Sequence, residues 1–347
     1  MPNNPLPVAN PGAELTPLLA AVPPAMESML PDVNATRAWF DVNLIDAIHR
    51  DQKPHLPPET AYTLKDYTLP VEGGEITVRS YVPASATDDT RFPMLFWTHG
   101  GGWVIGNLEM DDYYLKILSV ELQLVIVSPD YRLAPEYPFP TGVDDAFAAL
   151  KWAKQNAETF NADLRKGFLV GGPSAGGNLA AVLAHRAKDD PELAQYPLTG
   201  QIMQYPATVH PDAVPEEYKE KYTAYGQMTD VNILPTRFMH EFFQLLQGPP
   251  AHPDVSPLLN TSFKGLPPAL VQVCGMDPLR DDGLLYAERL TKAGVPTRLH
   301  VYPDAPHGFH LIFQQTKIAQ TFEEDLKAAL RWMLAGAPSN GQEAAPM

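Results

Sequence analysis

The sequence predicts an α/β protein built on a mostly parallel sheet of eight strands with helices on both faces. Two observations carry this. From about residue 62 onward, short β-rich runs alternate with helical stretches, and such alternation implies right-handed crossovers that enclose a parallel sheet between helices. The later β-rich runs are also continuously apolar, as strands buried on both faces must be.

The strands are expected, in order, in TLKDYTL, EITVRSYV, MLFWTH, LVIVSPD, GFLVGG, GQIMQYP, ALVQVCG and RLHVYP. The first two are placed to pair as a hairpin through the EGG turn at Gly73. Helices are expected at 110–121, 143–157, 175–188, 281–294 and 316–335. Two segments break the alternation: residues 1 to about 60, and about 206–256, which holds a further expected helix in ILPTRFMHEFFQLLQ. The chain therefore divides into an N-terminal cap segment (1–60), a core in two parts (61–205 and 257–335), a cap insertion (206–256) and a flexible tail (336–347). Both cap pieces are expected to lie over the carboxyl edge of the sheet. In the insertion's helix, Phe238, Phe242 and Leu245 form a stripe at helical spacing, read as ordinary core in preference to a pocket wall. Tyr222, Tyr225, Met228 and Met239 stay open between the two.

Of 347 residues, 45% are hydrophobic and 19% charged, a composition suited to a globular core and unlike a disordered chain. Asp and Glu outnumber Lys and Arg 41 to 25, for a net charge of −16. That field repels phosphate backbones and anionic headgroups, so no nucleic acid partner is expected. The first twelve residues lack the basic and apolar regions of a secretory signal. No apolar run reaches the ~18 residues a membrane span needs, so no stable membrane insertion is expected. Cys274 stands alone, which rules out an intrachain disulfide and suits a cytoplasmic location. It lies inside an apolar run, where a thiol is buried and inert. Nothing in the sequence fixes the oligomeric state, and monomer and homodimer both remain open.

Chemistry concentrates in four places. Gly172-Pro173-Ser174-Ala175-Gly176 is a G-x-S-x-G pattern standing where a β-rich run meets a strong helix pattern. A sharp strand–turn–helix there strains the serine backbone and exposes its hydroxyl at a helix N-terminus, where the Ala175 amide and the helix dipole favour a developing oxyanion. Pro173 fixes its own φ but leaves Ser174 free to adopt the turn. Upstream, His99-Gly100-Gly101-Gly102-Trp103 follows a strand, and its glycines let backbone amides approach a ligand closely. A serine hydroxyl needs an imidazole to accept its proton, and the imidazole needs a carboxylate to hold its tautomer. His307, in the loop after the last strand, is the expected base; His300 and His310 are read as structural. Asp277, closest to the end of its strand, is the expected acid. Asp281 and Asp282 suit the dipole of a helix's first turn, and Asp282 is held as a second candidate.

Together these residues resemble the hormone-sensitive-lipase-like family of α/β-hydrolase esterases. The likeness covers roughly residues 60–335 and is carried by HGGGW at 99–103, YRLAPEYPFP at 131–140, GGPSAGG at 171–177, DPLRDDG at 277–283 and HGF at 307–309. The resemblance implies an α/β-hydrolase fold, Ser174 as nucleophile, Asp277 as acid and His307 as base. It also implies an oxyanion hole from the amides of Gly101, Gly102 and Ala175. Two departures stand out: the family usually has Asp or Thr where Pro173 stands, and commonly His where Tyr137 stands. The expected function is hydrolysis of carboxylic esters of short to medium acyl chain through an acyl-enzyme, with a small-molecule ester as partner and no metal or organic cofactor. The alternatives are a specialised hydrolase of a lactone, amide or secondary metabolite, and a non-catalytic small-molecule receptor on the same fold.

Overall fold

All eight expected strands form and join one sheet. They are β1 (Tyr62–Val71), β2 (Gly74–Pro83), β3 (Met94–Trp97), β4 (Val125–Pro129), β5 (Phe168–Pro173), β6 (Gly200–Gln204), β7 (Ala269–Met276) and β8 (Thr297–Pro306). Their order across the sheet is β1-β2-β4-β3-β5-β6-β7-β8. β1 and β2 form the expected antiparallel hairpin, and β2 runs antiparallel to β4. From β4 to β8 every neighbour is parallel. The computed structural model describes residues 11–22, 28, 32–84, 89–231 and 233–338, so most of the expected tail lies outside the described residues.

The strand period of two sorts the core into two layers. Met94, Phe96, Val125, Val127, Phe168, Val170, Met203 and Val271 face one side. There they meet the helices Thr141–Gln155, Ala175–Asp189 and Arg280–Lys292 through residues such as Leu150, Leu179, Leu183 and Leu290. Leu95, Trp97, Ile126, Leu169, Ile202 and Leu270 alternate with them and face the other side. There they meet the helices Asp112–Leu122 and Lys317–Leu334 through Leu115, Leu118, Leu326 and Leu330. All five core helices fall within a few residues of their expected bounds. No helix among the described residues is long and apolar enough to cross a membrane.

The segment before β1 holds α-helices at Thr16–Ala21, Val33–Phe40 and Asp46–Gln52, the last two joined by a π-helical turn at Asp41–Ile45. The Asp32 side chain accepts from the Ala35 amide at 2.9 Å and starts the Val33–Phe40 helix as an N-cap. Ile45 and Ile48 fix the segment to the second core layer. Between β6 and β7, the expected helix forms as Thr236–Leu246 and buries Phe238, Met239, Phe242, Phe243 and Leu246.

Two carboxylates hold the start of that insertion to the body. Asp281 accepts from the amides of Thr223 and Ala224 at 2.6 and 2.7 Å and from Arg280 Nε at 2.8 Å. Asp282 accepts from the amides of Thr208 and Val209 at 2.7 and 3.0 Å and from the Tyr222 hydroxyl at 2.9 Å. Burial pushes the Asp282 carboxyl up to about 8 against those three donors. Both acids sit in a helix's first turn, as a dipole argument requires, yet apart from Arg280 their partners lie far away in sequence.

Arg280 is fully buried and its Nη1 and Nη2 also reach Gln227 and Thr223. Asp281→Ala leaves that guanidinium without its counter-charge and two amides without an acceptor. A loss of about 3–5 kcal/mol is expected, read as a lower denaturant midpoint in equilibrium unfolding; an unchanged midpoint contradicts the anchoring role.

Candidate active site

The parallel strands end at one edge, and the first residue beyond each of three of them is one of the expected site residues. Ser174 follows β5, Asp277 follows β7 and His307 follows β8. His307 Nδ1 lies 2.6 Å from Asp277 Oδ2, and its Nε2 lies 3.1 Å from Ser174 Oγ. An ionised carboxylate only accepts, so Nδ1 carries the ring proton and Nε2 is left to accept from the serine hydroxyl. Asp277 is fully buried, and its Oδ1 accepts from the Leu279 amide at 2.8 Å, which fixes the carboxylate plane.

Ser174 has φ 55° and ψ −119°, in the strained region expected of a sharp strand–turn–helix. Its amide donates to the Gln204 carbonyl at 2.8 Å, and its carbonyl accepts from Asn178 at 3.0 Å, opening the helix Ala175–Asp189. The Ala175 amide belongs to that helix's first turn, whose amides have no partner within the helix. Pro173 completes β5 without disturbing the turn.

The glycines around Ser174 are there for space. A Cβ on Gly176 would lie 2.0 Å from the Thr98 carbonyl oxygen, and one on Gly172 would lie 2.3 Å from the same atom. Thr98 also donates from its amide to Gly171 at 2.9 Å and from Oγ1 to the Gly176 carbonyl at 2.9 Å. The loop that follows, with Gly101 at φ 106° and Gly102 at φ 60°, is thereby knitted to the serine turn. His99 is buried and pushed down to about 4 by burial; its Nδ1 donates to the Gly100 carbonyl at 2.8 Å and its ring stacks on Tyr131.

Gly100, Gly101, Gly102, Ser174 and His307 open into one cavity of about 630 Å³. Both segments outside the βα alternation contribute to the remaining walls, Leu18, Trp39, Phe40 and Leu44 from one and Ile233, Leu234, Phe238 and Phe242 from the other, beside core residues such as Ile105, Met110, Leu311 and Phe313. Phe238 and Phe242 belong to the buried core as expected, and the same face also walls the cavity. The Phe242 ring lies where a Cβ on Gly102 would be, at 2.4 Å. Leu245 packs against the core, and Tyr225, Met228 and Met239 are buried away from the cavity walls.

The other candidates separate from the site. Asp282 anchors the insertion as described. His300 pairs with Asp325 at 3.2 Å, and His310, pushed down to about 3 by burial, bonds the Tyr205 hydroxyl through Nε2 at 2.9 Å. Burial, with Asp277 nearby, pushes the Cys274 thiol up. Tyr137 is half-exposed beneath the Arg132 guanidinium. Sequence reasoning missed Tyr205, the first residue beyond β6, which lines the cavity at φ 37° with its ring edge-on to His307, centroids 4.6 Å apart. It fell inside the expected strand GQIMQYP, so nothing in the sequence marked it as a site residue. Among the described residues, His49, Glu109 and Asp112 bring ligand atoms within 4.8 Å of one another. They do not suit a metal ion, because Arg79 and Lys116 already neutralise the carboxylates and His49 Nε2 faces the Glu109 carbonyl.

Fold and site together define an α/β hydrolase with a serine, a histidine and a buried carboxylate in line. Residues 95–311 match the alpha/beta hydrolase fold family, and the chain belongs to it, within the hormone-sensitive-lipase-like carboxylesterases. A versiconal hemiacetal acetate esterase of Dothistroma septosporum is 39% identical over 247 residues, 70% of this chain and 74% of that protein. The crystal structure of vibralactone cyclase superposes with a TM-score of 0.91 at 44% identity, covering 96% of this chain and 97% of that one. A thermostable carboxylesterase cloned from a metagenomic library superposes at 0.75 with 31% identity, covering 90% of this chain and all of that one, 100%.

Gly176→Ala is expected to destabilise the protein by roughly 3 kcal/mol or more, since the added methyl meets backbone that cannot step aside. A thermal midpoint equal to that of the unmodified protein contradicts the close approach of Thr98.

Proposed function

We propose that the chain is a serine carboxylesterase that works through an acyl-enzyme on Ser174. As a member of its family it is a carboxylic-ester hydrolase; the machinery and the substrate preference are the proposal. The observation that carries it is the unbroken hydrogen-bond line from Asp277 through His307 to Ser174. Ser174 Oγ attacks the ester carbonyl carbon while its proton passes to His307 Nε2. The carbonyl oxygen, now an oxyanion, takes hydrogen bonds from the amides of Gly101, Gly102 and Ala175. The tetrahedral intermediate collapses, the C–O bond to the alcohol breaks, and the imidazolium gives its proton to the departing oxygen. Water then repeats the sequence on the acyl-serine with His307 as base. Asp277 stays ionised throughout, holding the tautomer and facing the imidazolium.

Residues 1–60 and 206–256 act as the cap that shapes the acyl site, a reading supported by their shared contribution to the cavity walls. A largely apolar cavity of about 630 Å³ favours uncharged acyl groups of short to medium length over anionic ones. A second reading is favoured by the greater likeness to vibralactone cyclase, at 44% identity, than to the thermostable carboxylesterase, at 31%. On it, the same residues open or close a lactone ring instead of hydrolysing a linear ester.

The test is hydrolysis of p-nitrophenyl butyrate and octanoate by the unmodified enzyme beside Ser174→Ala and His307→Ala. Turnover is expected, with kcat lower by about 10⁴-fold or more in either variant, and a hemisuccinate ester is expected to be turned over poorly. Equal turnover by Ser174→Ala sinks the mechanism. Turnover confined to lactones, with linear esters untouched, selects the second reading.

A further inference from the structure

We infer that Arg37 is a positioning residue for the oxyanion loop, so that the loop takes its working shape only when the Val33–Phe40 helix is seated. The inference rests on the proposed role of the Gly101 and Gly102 amides.

The loop after β3 is costly to hold. Gly101, Gly102 and Trp103 stand in succession at φ 106°, 60° and 62°. Glycine adopts such angles freely, but for a tryptophan the left-handed region costs about 1–2 kcal/mol. A backbone of this kind persists only where its surroundings over-determine it. Internal bonds supply part of the restraint: the amides of Val104 and Ile105 both reach back to the Gly101 carbonyl, at 3.1 and 2.9 Å. The rest is external, and much of it converges on one side chain.

Arg37 lies on the Val33–Phe40 helix. Its Nε donates to the Val104 carbonyl at 2.8 Å, and its Nη2 donates to the Ala134 carbonyl at 2.8 Å. The Ala134 amide in turn donates to the Trp103 carbonyl at 2.9 Å. The guanidinium therefore closes a circuit around the strained residue, joining the carbonyl after Trp103 to the segment already bonded at Trp103. Glu136 accepts from Nη1 and Nη2 at 2.9 and 2.8 Å and sets the plane of the fork. Half-exposed on the Glu136 side, this ion pair contributes little by attraction alone. Its value is geometric, because a planar fork can address two carbonyls and a carboxylate at once and an ammonium cannot.

The same helix places Thr36, Trp39 and Phe40 on the cavity wall. One element thus closes over the acyl group and steadies the amides that receive the oxyanion. Binding energy that seats the helix also orders the loop, so it acts on the chemical step as well as on affinity.

Two measurements on Arg37→Ala test this: hydrogen exchange of the amides at 100–106, and steady-state kinetics on p-nitrophenyl butyrate. Loop exchange is expected to accelerate at least ten-fold while β5 and β7 keep their protection. Turnover is expected to fall about 10–100-fold in kcat with KM within about three-fold, the mark of misplaced catalytic groups. Arg37→Lys, which keeps the charge and one donor direction, should recover only part of both effects; it also serves if the alanine variant does not fold. Glu136→Gln loosens one side of the fork but retains both carbonyl contacts, and should lower kcat by less than Arg37→Lys does. Unchanged loop exchange in either Arg37 variant overturns the inference, as does a rise in KM alone at unchanged kcat. An unmodified enzyme that hydrolyses no ester sinks the esterase reading by itself, while the exchange data still decide what Arg37 does to the loop.

Discussion

The approach of the Thr98 carbonyl to Gly172 and Gly176 is the constraint on which the rest of the site depends. At 2.3 and 2.0 Å from where their Cβ atoms would stand, this oxygen occupies space that any side chain would take. The contact locks the end of β3 against the turn after β5, and so fixes where the glycine loop starts relative to Ser174. Side chains hop between rotamers; paired backbone segments at the end of a parallel sheet do not. The strain at Ser174 is held by its amide bond to Gln204 on one side and by the helix that begins at Ala175 on the other. Neither hold would matter if the two loops could slide past each other.

Much of this was legible in the sequence because the signals were local. A parallel strand buried on both faces is a short apolar run whatever its neighbours are, which made the central strands readable, while the β1–β2 hairpin was readable from β-rich runs flanking the EGG turn. Ser174, Asp277 and His307 were readable because each lies a few residues past such a run, in loops rich in glycine and acid. What escaped has its partner elsewhere in the chain. Asp281 and Asp282 satisfy a helix dipole in sequence, and only the fold reveals that they hold Thr208, Thr223 and Ala224. Arg37 carries no motif, since its acceptors are the carbonyls of residues 104 and 134. The Phe238 and Phe242 stripe shows a further limit. An amphipathic helix presents one apolar face, and the same pattern results whether that face meets side chains or an apolar cavity. Here it meets both.

The net charge of −16 stands in contrast to the cavity itself. Among the described residues no Asp, Glu, Lys or Arg side chain lines it, and the polar groups that do are Thr36, Asn43, Gln315 and the site residues. The two histidines nearest the machinery are kept neutral by burial, His99 at about 4 and His310 at about 3. On the proposed mechanism, then, the charges that appear in the reaction have few rivals: an oxyanion at the glycine loop, an imidazolium at His307 and the carboxylate of Asp277. Apolar walls lower the local dielectric, so each of these feels its intended partner more strongly than it would in water. The acidic surface and the neutral cavity are therefore compatible. The surface charge bears on solubility and partners, whereas catalysis depends on a small volume from which other charges have been kept away.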